Sequence, residues 1–402
     1  MKKLLAGLCV VLSMPAVGLA LSSVEELGKK LFFDPQLSTP GGQSCASCHA
    51  PEAGWTGPLS SINATGAVTP GVIHTKFGNR KAPSAAYGGQ SPPFHYEPQR
   101  SLFIGGMFWD GRATGNGTQE LMLALFGSVD GAPLADQAMG PFLNTVEQHN
   151  PNMKRVCLDV RKGDNYASLW NTAFPGVPLD CGNNALEKTY QHIAVAIAAY
   201  EKSSEVNPYT SKYDNYLANQ AQLTAEESRG LQLFNGKAQC FACHPAPEFT
   251  NFTYHNIGIP KNPQNPFYDM PKSINPDREA WIDPGLGGYL QTLPESYFTA
   301  LGLNKSVTVA ANIGKHKTPT LRNLDLRPSP GFIKAYGHNG SIKSLEQIVK
   351  FYDERNAMII QGQIIPEVVA NLNTRLGNLG LTDQEEVDLA AFLRTLNDGY
   401  IP

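Results

Sequence analysis

The sequence predicts a mainly α-helical protein that consists of two related halves with long loops. Apolar residues recur at helical spacing in several segments, while the alternation that is typical of strands is weak throughout. A capping-box pattern at residues 23–26 precedes one predicted helix, and the same pattern at residues 224–227 precedes a second one. A cysteine motif follows each of these helices, which indicates that the chain repeats one structural unit.

Three further features complete this prediction. Residues 186–203 are expected to form a helix because their apolar positions recur at steps of three and four, and Pro208 then breaks the pattern. The boundary between the halves is placed near residue 210, which gives domains at 21–210 and 211–402. Asparagine–proline pairs from residue 262 onward predict long surface loops, and Thr382 begins a last helix with Glu385 at its third position.

The first 20 residues have the pattern of a secretory signal peptide. Lys2 and Lys3 precede an apolar run, and Gly18-Leu19-Ala20 is a small-residue cleavage site. A membrane anchor is the alternative, but the run is short for a span. We therefore expect export to the periplasm, cleavage near Ala20 and no membrane span in the mature chain. The formal net charge of −3 excludes a typical nucleic-acid partner, which would require a basic surface.

Two C-x-x-C-H motifs account for four of the seven cysteines. They are Cys45-Ala46-Ser47-Cys48-His49 and Cys240-Phe241-Ala242-Cys243-His244. In this motif the two thiols form thioethers to haem, and the adjacent histidine is placed to bind the iron. Two cysteine pairs could together hold zinc, but here a histidine follows each pair directly. The sequence therefore predicts two related c-type cytochrome domains with one covalently bound haem each.

Cys157 and Cys181 are the two cysteines of the mature chain that the haem motifs leave over. An oxidising compartment favours a disulfide between two such thiols. Two unrelated buried cysteines are the alternative. We expect the bridge.

Two segments between residues 105 and 150 carry groups that are suited to peroxide chemistry at a haem. One contains Trp109, and the other contains Gln137, Pro141 and Glu147. A glutamate buried beside a haem has a raised pKa and can move a proton between the two oxygens of a peroxide. From spacing alone, a carboxylate at a helix start is the plainer interpretation of Glu147.

These motifs together resemble the bacterial dihaem cytochrome c peroxidase and MauG superfamily over nearly the whole mature chain. The resemblance includes the paired haem motifs and residues 108–113, 137–147, 318–323, 337–341 and 345–347. It implies that the haem at His49 reacts with hydrogen peroxide. The residues that it assigns to the distal pocket of this haem are Gln137, Pro141 and Glu147. It also implies that the haem at His244 transfers electrons and that Trp109 relays them between the haems.

The second ligand of the C-terminal haem separates the branches of this superfamily. The resemblance implies a methionine in the peroxidases and a tyrosine in MauG-like enzymes. Here one face of a predicted helix carries Leu345, Ile348, Val349 and Tyr352. Tyr352 stands at the ligand position, whereas Met358 is expected past the helix end. A packed core tyrosine with Met358 as the ligand is the alternative.

A tyrosine ligand is anionic and favours oxidised iron. The resemblance therefore implies an enzyme that uses hydrogen peroxide to oxidise a side chain of a periplasmic partner protein by long-range electron transfer. One alternative is a peroxidase that takes electrons from a small cytochrome or cupredoxin. The other is a dihaem electron carrier without enzymatic activity.

The resemblance raises two further ligand questions. Family members hold a calcium ion through an asparagine beside an Ala-Pro-Ser/Thr turn. Asn79 is the candidate in this chain, although Lys81 directly precedes Ala82. His74 is the candidate for a sixth ligand on the first haem, and an open site is preferred.

Overall fold

The computed structural model describes residues 20–401. The predicted signal peptide lies outside the described residues, apart from Ala20 at its end. Among the helices that the structure describes, none is both long enough and apolar enough to cross a membrane.

The described chain is mainly α-helical, as predicted, with fourteen α-helices and four short strands. The first seven helices are α1 (Ser23–Phe33), α2 (Ser60–Asn63), α3 (Gln119–Phe126), α4 (Ala132–Leu143), α5 (Met153–Lys162), α6 (Tyr166–Ala173) and α7 (Leu186–Lys202). The others are α8 (Lys212–Leu217), α9 (Ala225–Asn235), α10 (Gly285–Thr292), α11 (Glu295–Ala300), α12 (Lys305–Ala310), α13 (Leu345–Ile360) and α14 (Asp383–Arg394). The strands β1 (His95–Glu97) and β2 (Leu102–Ile104) pair antiparallel, and so do β3 (Tyr254–His255) and β4 (His316–Lys317).

The first helix of each half begins at a capping box. Thr224 and Glu227 form the predicted box of α9. In α1 the box is formed by Ser22 and Glu25, one residue earlier than predicted. Both Ser22 and Ser23 stand three residues before a glutamate, so the sequence pattern fits either register.

Each half has its own apolar core around a pair of crossed helices. The core of the first half surrounds the crossing of α1 with α7, and that of the second half surrounds the crossing of α9 with α14. A glycine lies at each crossing. A Cβ atom on Gly28 would come within 1.8 Å of the Ala196 carbonyl oxygen, and one on Gly230 within 2.0 Å of the Asp388 carbonyl oxygen. Both glycines therefore allow two helix backbones to touch.

The predicted disulfide is confirmed, because Cys157 and Cys181 are bridged across 24 positions of sequence. The bridge joins α5 to the loop that precedes α7.

The prediction of surface loops from residue 262 onward is wrong in part. The side chains of Asn262, Asn265 and Asn275 are buried. They donate to backbone carbonyls of Asn339, Asn79 and Phe267, respectively. Asparagine favours turns because its amide can satisfy backbone groups, and here it does so inside the protein. Three short helices, α10 to α12, follow within the region that was expected to be loop.

We expect Gly230→Ala to lower the free energy of unfolding by at least about 2 kcal/mol, because α9 and α14 would have to separate. Denaturant unfolding followed by circular dichroism measures this change. Gly331→Ala is the matched control, since a Cβ atom there meets nothing within 4 Å. Equal unfolding midpoints for the two variants would contradict the role of Gly230.

Candidate haem sites

Both cysteine motifs adopt the same local structure. Cys45–Ser47 and Cys240–Ala242 each form one turn of 3-10 helix. The amide of each motif histidine then donates to the carbonyl of the first cysteine, at 3.0 Å in the first motif and 2.9 Å in the second. This turn folds five residues compactly enough for two thiols and one imidazole to reach the same cofactor.

The two motif histidines have the tautomer and the neutral charge that metal binding requires. Nδ1 of His49 lies 3.3 Å from the Trp55 carbonyl oxygen, and Nδ1 of His244 lies 2.8 Å from that of Phe249. A carbonyl only accepts, so Nδ1 carries the proton and Nε2 is left for iron. Burial lowers the pKa of each imidazole to about 4, which keeps it neutral at physiological pH.

A deep cavity lies beside the second motif. Cys240, Cys243 and His244 form one wall of it. Apolar side chains of α9, α13 and α14 that also line it are Phe234, Leu345, Ile348, Val349, Leu389 and Leu393. A largely apolar cavity next to two thiols and a neutral imidazole suits a flat cofactor such as haem.

Three lysines also line this cavity, of which Lys81 and Lys334 are buried and Lys317 is half-buried. Their ammonium groups donate to carbonyl and hydroxyl oxygens, not to carboxylates, within residues 20–401. Burial lowers the pKa of Lys81 to about 8, and those of Lys317 and Lys334 to about 7. A buried cation is costly without a counter-charge. The two carboxylates that a haem carries would supply that charge, so the residues present fit the cofactor.

Tyr352 reaches the same cavity from α13. The four residues that were predicted to share the inward face of this helix all line the cavity. The prediction that Met358 lies past the helix end is wrong, because α13 continues to Ile360. Met358 is six residues after Tyr352, which turns it to another face of the helix, and it is not among the cavity-lining residues.

The residues predicted for the first haem come together around the end of α4. Gln137 and Pro141 lie one turn apart on this helix, and Glu147 lies in the turn that follows it. Burial raises the pKa of Glu147, and Arg112 partly opposes the shift. Burial and then the Glu147 charge raise the pKa of the Cys48 thiol to about 12. Glu147 is therefore close to the first attachment turn, and it does not cap a helix.

Trp109 lies between the two halves of the chain. Its side chain is 8% exposed, and its indole N–H donates to the Lys81 carbonyl oxygen at 2.8 Å. Its backbone carbonyl accepts from the amide of Lys317 in β4, also at 2.8 Å. The indole also lines the cavity of the second motif and packs edge-on against His338.

A charged cluster beside Trp109 was not predicted from the sequence. Arg80 donates to both carboxylate oxygens of Asp283 and to Asp110, at 2.6–2.7 Å. Burial would raise the pKa of Asp283, but Arg80 holds it well below its usual range. The rings of His316 and His338 stack next to this pair with centroids 3.6 Å apart. These residues are scattered over the sequence, and only Asp110 in segment 108–113 and His338 in segment 337–341 belong to motifs that the sequence analysis singled out.

His74, the candidate sixth ligand of the first haem, is exposed. Its exposure supports the preference for an open site. The side chain of Asn79 is partly buried, and its backbone carbonyl accepts from Asn265. The ligand roles of these residues and of Gln137, Pro141 and Glu147 stay predictions.

Two equivalent attachment turns on one helical chain define a dihaem c-type oxidoreductase. A family model described as di-haem cytochrome c peroxidase matches residues 22–222. The methylamine utilization protein MauG of Paracoccus denitrificans is 31% identical over 391 residues, which cover 92% of this chain and 88% of that protein. The cytochrome c551 peroxidase of Pseudomonas aeruginosa is 31% identical over 244 residues, which cover 59% of this chain and 55% of the relative.

The solved structure of the diheme peroxidase BthA from Burkholderia thailandensis is similar over 94% of this chain and 86% of its own, with a TM-score of 0.72 and 28% identity. The chain therefore belongs to the dihaem cytochrome c peroxidase and MauG family. It is a peroxide-dependent haem oxidoreductase, and membership of the family implies two c-type haems.

We expect Glu147→Gln to slow the reaction of the ferric protein with hydrogen peroxide by between about 100-fold and 10,000-fold, since the amide cannot transfer the proton. Stopped-flow absorbance of the haems measures the rate constant. Glu120→Gln, on the exposed side of α3, is the control for a change of charge alone. An unchanged rate in Glu147→Gln with both haems attached would remove Glu147 from the reaction.

Proposed function

We propose that this enzyme is MauG-like: it reduces hydrogen peroxide and withdraws the electrons from a side chain of a partner protein. The overall reaction is balanced when one peroxide takes two electrons and two protons and yields two waters. The substrate side chain loses the two electrons and remains outside the haem pocket, so the electrons travel through the protein. A tryptophan or a similar aromatic side chain is the substrate class proposed.

The observation that carries this proposal is the position of Tyr352. Its side chain lines one cavity together with Cys240, Cys243 and His244, and Met358 on the same helix does not. Burial raises the pKa of Tyr352, so a phenolate forms here only against a positive charge such as ferric iron. An anionic oxygen ligand stabilises oxidised iron, whereas a thioether stabilises reduced iron. Tyr352 therefore supports the storage of oxidising equivalents at the second haem.

The first haem would supply the iron at which peroxide is reduced. The part of the chain in this step is proton transfer by Glu147. Burial raises the pKa of the Glu147 carboxyl, which favours its protonated form and suits it to pass a proton to a leaving oxygen. Gln137 and Pro141, one helical turn apart on α4, would bound the space in which peroxide is held.

Trp109 would relay electrons between the two halves. Its indole is buried, and its hydrogen bond to the Lys81 carbonyl fixes the ring beside the cavity of the second motif. A rigid, buried aromatic ring needs little rearrangement when its charge changes. The two predicted domains, 21–210 and 211–402, would then each hold one haem, and the separate apolar cores support this division.

A cytochrome c peroxidase that takes electrons from a small cytochrome or cupredoxin is the second candidate. The observation that favours it is that several relatives carry this name, including the Pseudomonas aeruginosa protein. A dihaem carrier without enzymatic activity has less support, because the family model and several relatives are named as peroxidases. Export to the periplasm, with the signal peptide removed near Ala20, is part of the proposal and depends on the sequence pattern alone.

Calcium is not part of the proposal. The resemblance assigns this ion to the turn that contains Asn79, but Lys81 in that turn is buried and carries its own ammonium group. Calcium prefers anionic and neutral oxygen ligands. In this turn the resemblance assigns it only the Asn79 side chain, so the ion stays a prediction from the resemblance.

We expect Tyr352→Phe to change the ligand-field spectrum of the ferric second haem and Met358→Leu to leave it unchanged. The reason is that only Tyr352 lines the cavity that holds His244. Electron paramagnetic resonance and magnetic circular dichroism of the full-length protein identify the ligand. Methionine ligation in the unaltered protein, or rapid peroxide turnover with a reduced cytochrome, would favour the second candidate.

A further inference from the structure

The surface has an opening at the second attachment turn. The residues that line it are Arg100, Leu102, Ala242, Cys243, Asn251, Thr253, His255, Asn373 and Arg375. Several of them, including Cys243 and His255, also line the deep cavity of the second motif. The opening therefore leads from the surface to the side of the second haem site where Cys243 would form its thioether bond.

Two arginines give this opening a positive charge. Arg100, in the turn between β1 and β2, and Arg375, in the loop after α13, are both exposed. Neither forms an ion pair with any residue between 20 and 401. Most other arginines of the described chain do, including Arg80, Arg112 and Arg322. Two free guanidinium groups at one opening are a binding site for anions.

The other groups of the opening are neutral. His255 lies inside it, with Nε2 3.0 Å from Thr253 Oγ1 and 3.5 Å from Cys243 Sγ. Its Nδ1 lies 3.2 Å from the side-chain amide of Asn373. Burial and the cations Lys315, Arg375 and Arg100 lower its pKa to about 4. No carboxylate lines the opening, so its net charge is positive.

A haem bound at this turn would leave Arg100 without a counter-charge. In a c-type haem, the thioether bonds and the two carboxylates lie on opposite edges of the ring. Arg100 lines only the opening, beside Cys243, whereas Arg375 lines both the opening and the deep cavity. The lysines Lys81 and Lys334 line the deep cavity but not this opening, so they are available to the haem carboxylates. The opening therefore keeps a positive charge that an anion from outside would neutralise.

We propose that this opening is the port through which the second haem exchanges electrons with its partner, and that the partner presents a carboxylate-rich surface to Arg100 and Arg375. This inference rests on the proposed function, in which electrons from a partner protein travel through this protein to the haems. Phe241, in the attachment turn, is 46% exposed and offers an apolar contact next to the charged pair. An apolar contact with charges around it is the usual arrangement of a transient protein interface.

Small redox probes of opposite charge test the port without knowledge of the partner. Hexacyanoferrate(II) is anionic and hexaammineruthenium(II) is cationic, and each gives up one electron. Two molecules of either probe, with two protons, reduce one hydrogen peroxide to two waters. The full-length dihaem protein is supplied with peroxide, and the rate of probe oxidation per haem is measured for each probe by absorbance.

The first test protein is the double variant Arg100→Gln/Arg375→Gln. At low ionic strength, we expect its ratio of the oxidation rate of the anionic probe to that of the cationic probe to be about tenfold lower than in the unaltered protein. At about 1 M salt, where the screening length is about 3 Å, the double glutamine variant and the unaltered protein should give the same rate ratio. The double variant Arg100→Lys/Arg375→Lys should have a rate ratio close to that of the unaltered protein, because both positive charges are kept. Arg161→Gln is the matched control, because Arg161 is exposed and lies on α5 in the other half of the chain.

An unchanged ratio in the double glutamine variant would overturn the port. An equal drop of both rates would also overturn it, because it would indicate damage to the haem site and not a loss of charge. The same holds if Arg161→Gln lowers the ratio as much, because the effect would then come from net charge. The ratio does not depend on whether the natural partner is modified or merely donates electrons. Failure of the port and failure of the MauG-like function are therefore separate results.

Discussion

Each half of the molecule depends on one helix crossing in which a glycine allows two backbones to touch. Gly28 meets the Ala196 carbonyl, and Gly230 meets that of Asp388 in the same way. The close approach lets apolar side chains on either side of the crossing interlock into one core per half. The capping box fixes where the first helix begins, and the attachment turn follows where it ends. The crossing therefore determines where each attachment turn lies relative to its core.

An ion pair joins the two halves of the chain. Arg80 bonds to Asp110 and Asp283, whose positions in the sequence are far apart. The lysines of the second cavity have neutral partners only, and such an arrangement is stable once an anionic cofactor is present. These lysines are therefore available to the carboxylates of a bound haem.

The candidate site was predictable where the chemistry is local in sequence. The attachment motifs, the helix face that bears Tyr352 and the Thr224 and Thr382 capping boxes follow from spacing, and the structure agrees with all of them. Met358 was misplaced although the sequence does mark the end of the helix, because Gly362, two residues after Ile360, adopts the left-handed conformation that is common past a helix end. The network of Arg80 and Asp283, the stacked histidines and the pair of Arg100 and Arg375 could not be predicted. Their members come from distant segments, and no local pattern records which distant segments meet.

The sequence by itself determined where the two C-x-x-C-H motifs lie and that the protein is helical, because this motif and helical periodicity are properties of neighbouring residues. Tertiary structure alone decided which side chains surround each attachment turn. It directed Tyr352 and not Met358 toward His244, and it left Arg100 and Arg375 without ion-pair partners in the described chain. The physical reason is that burial and charge pairing depend on contacts between distant segments, which exist only after the two cores have formed.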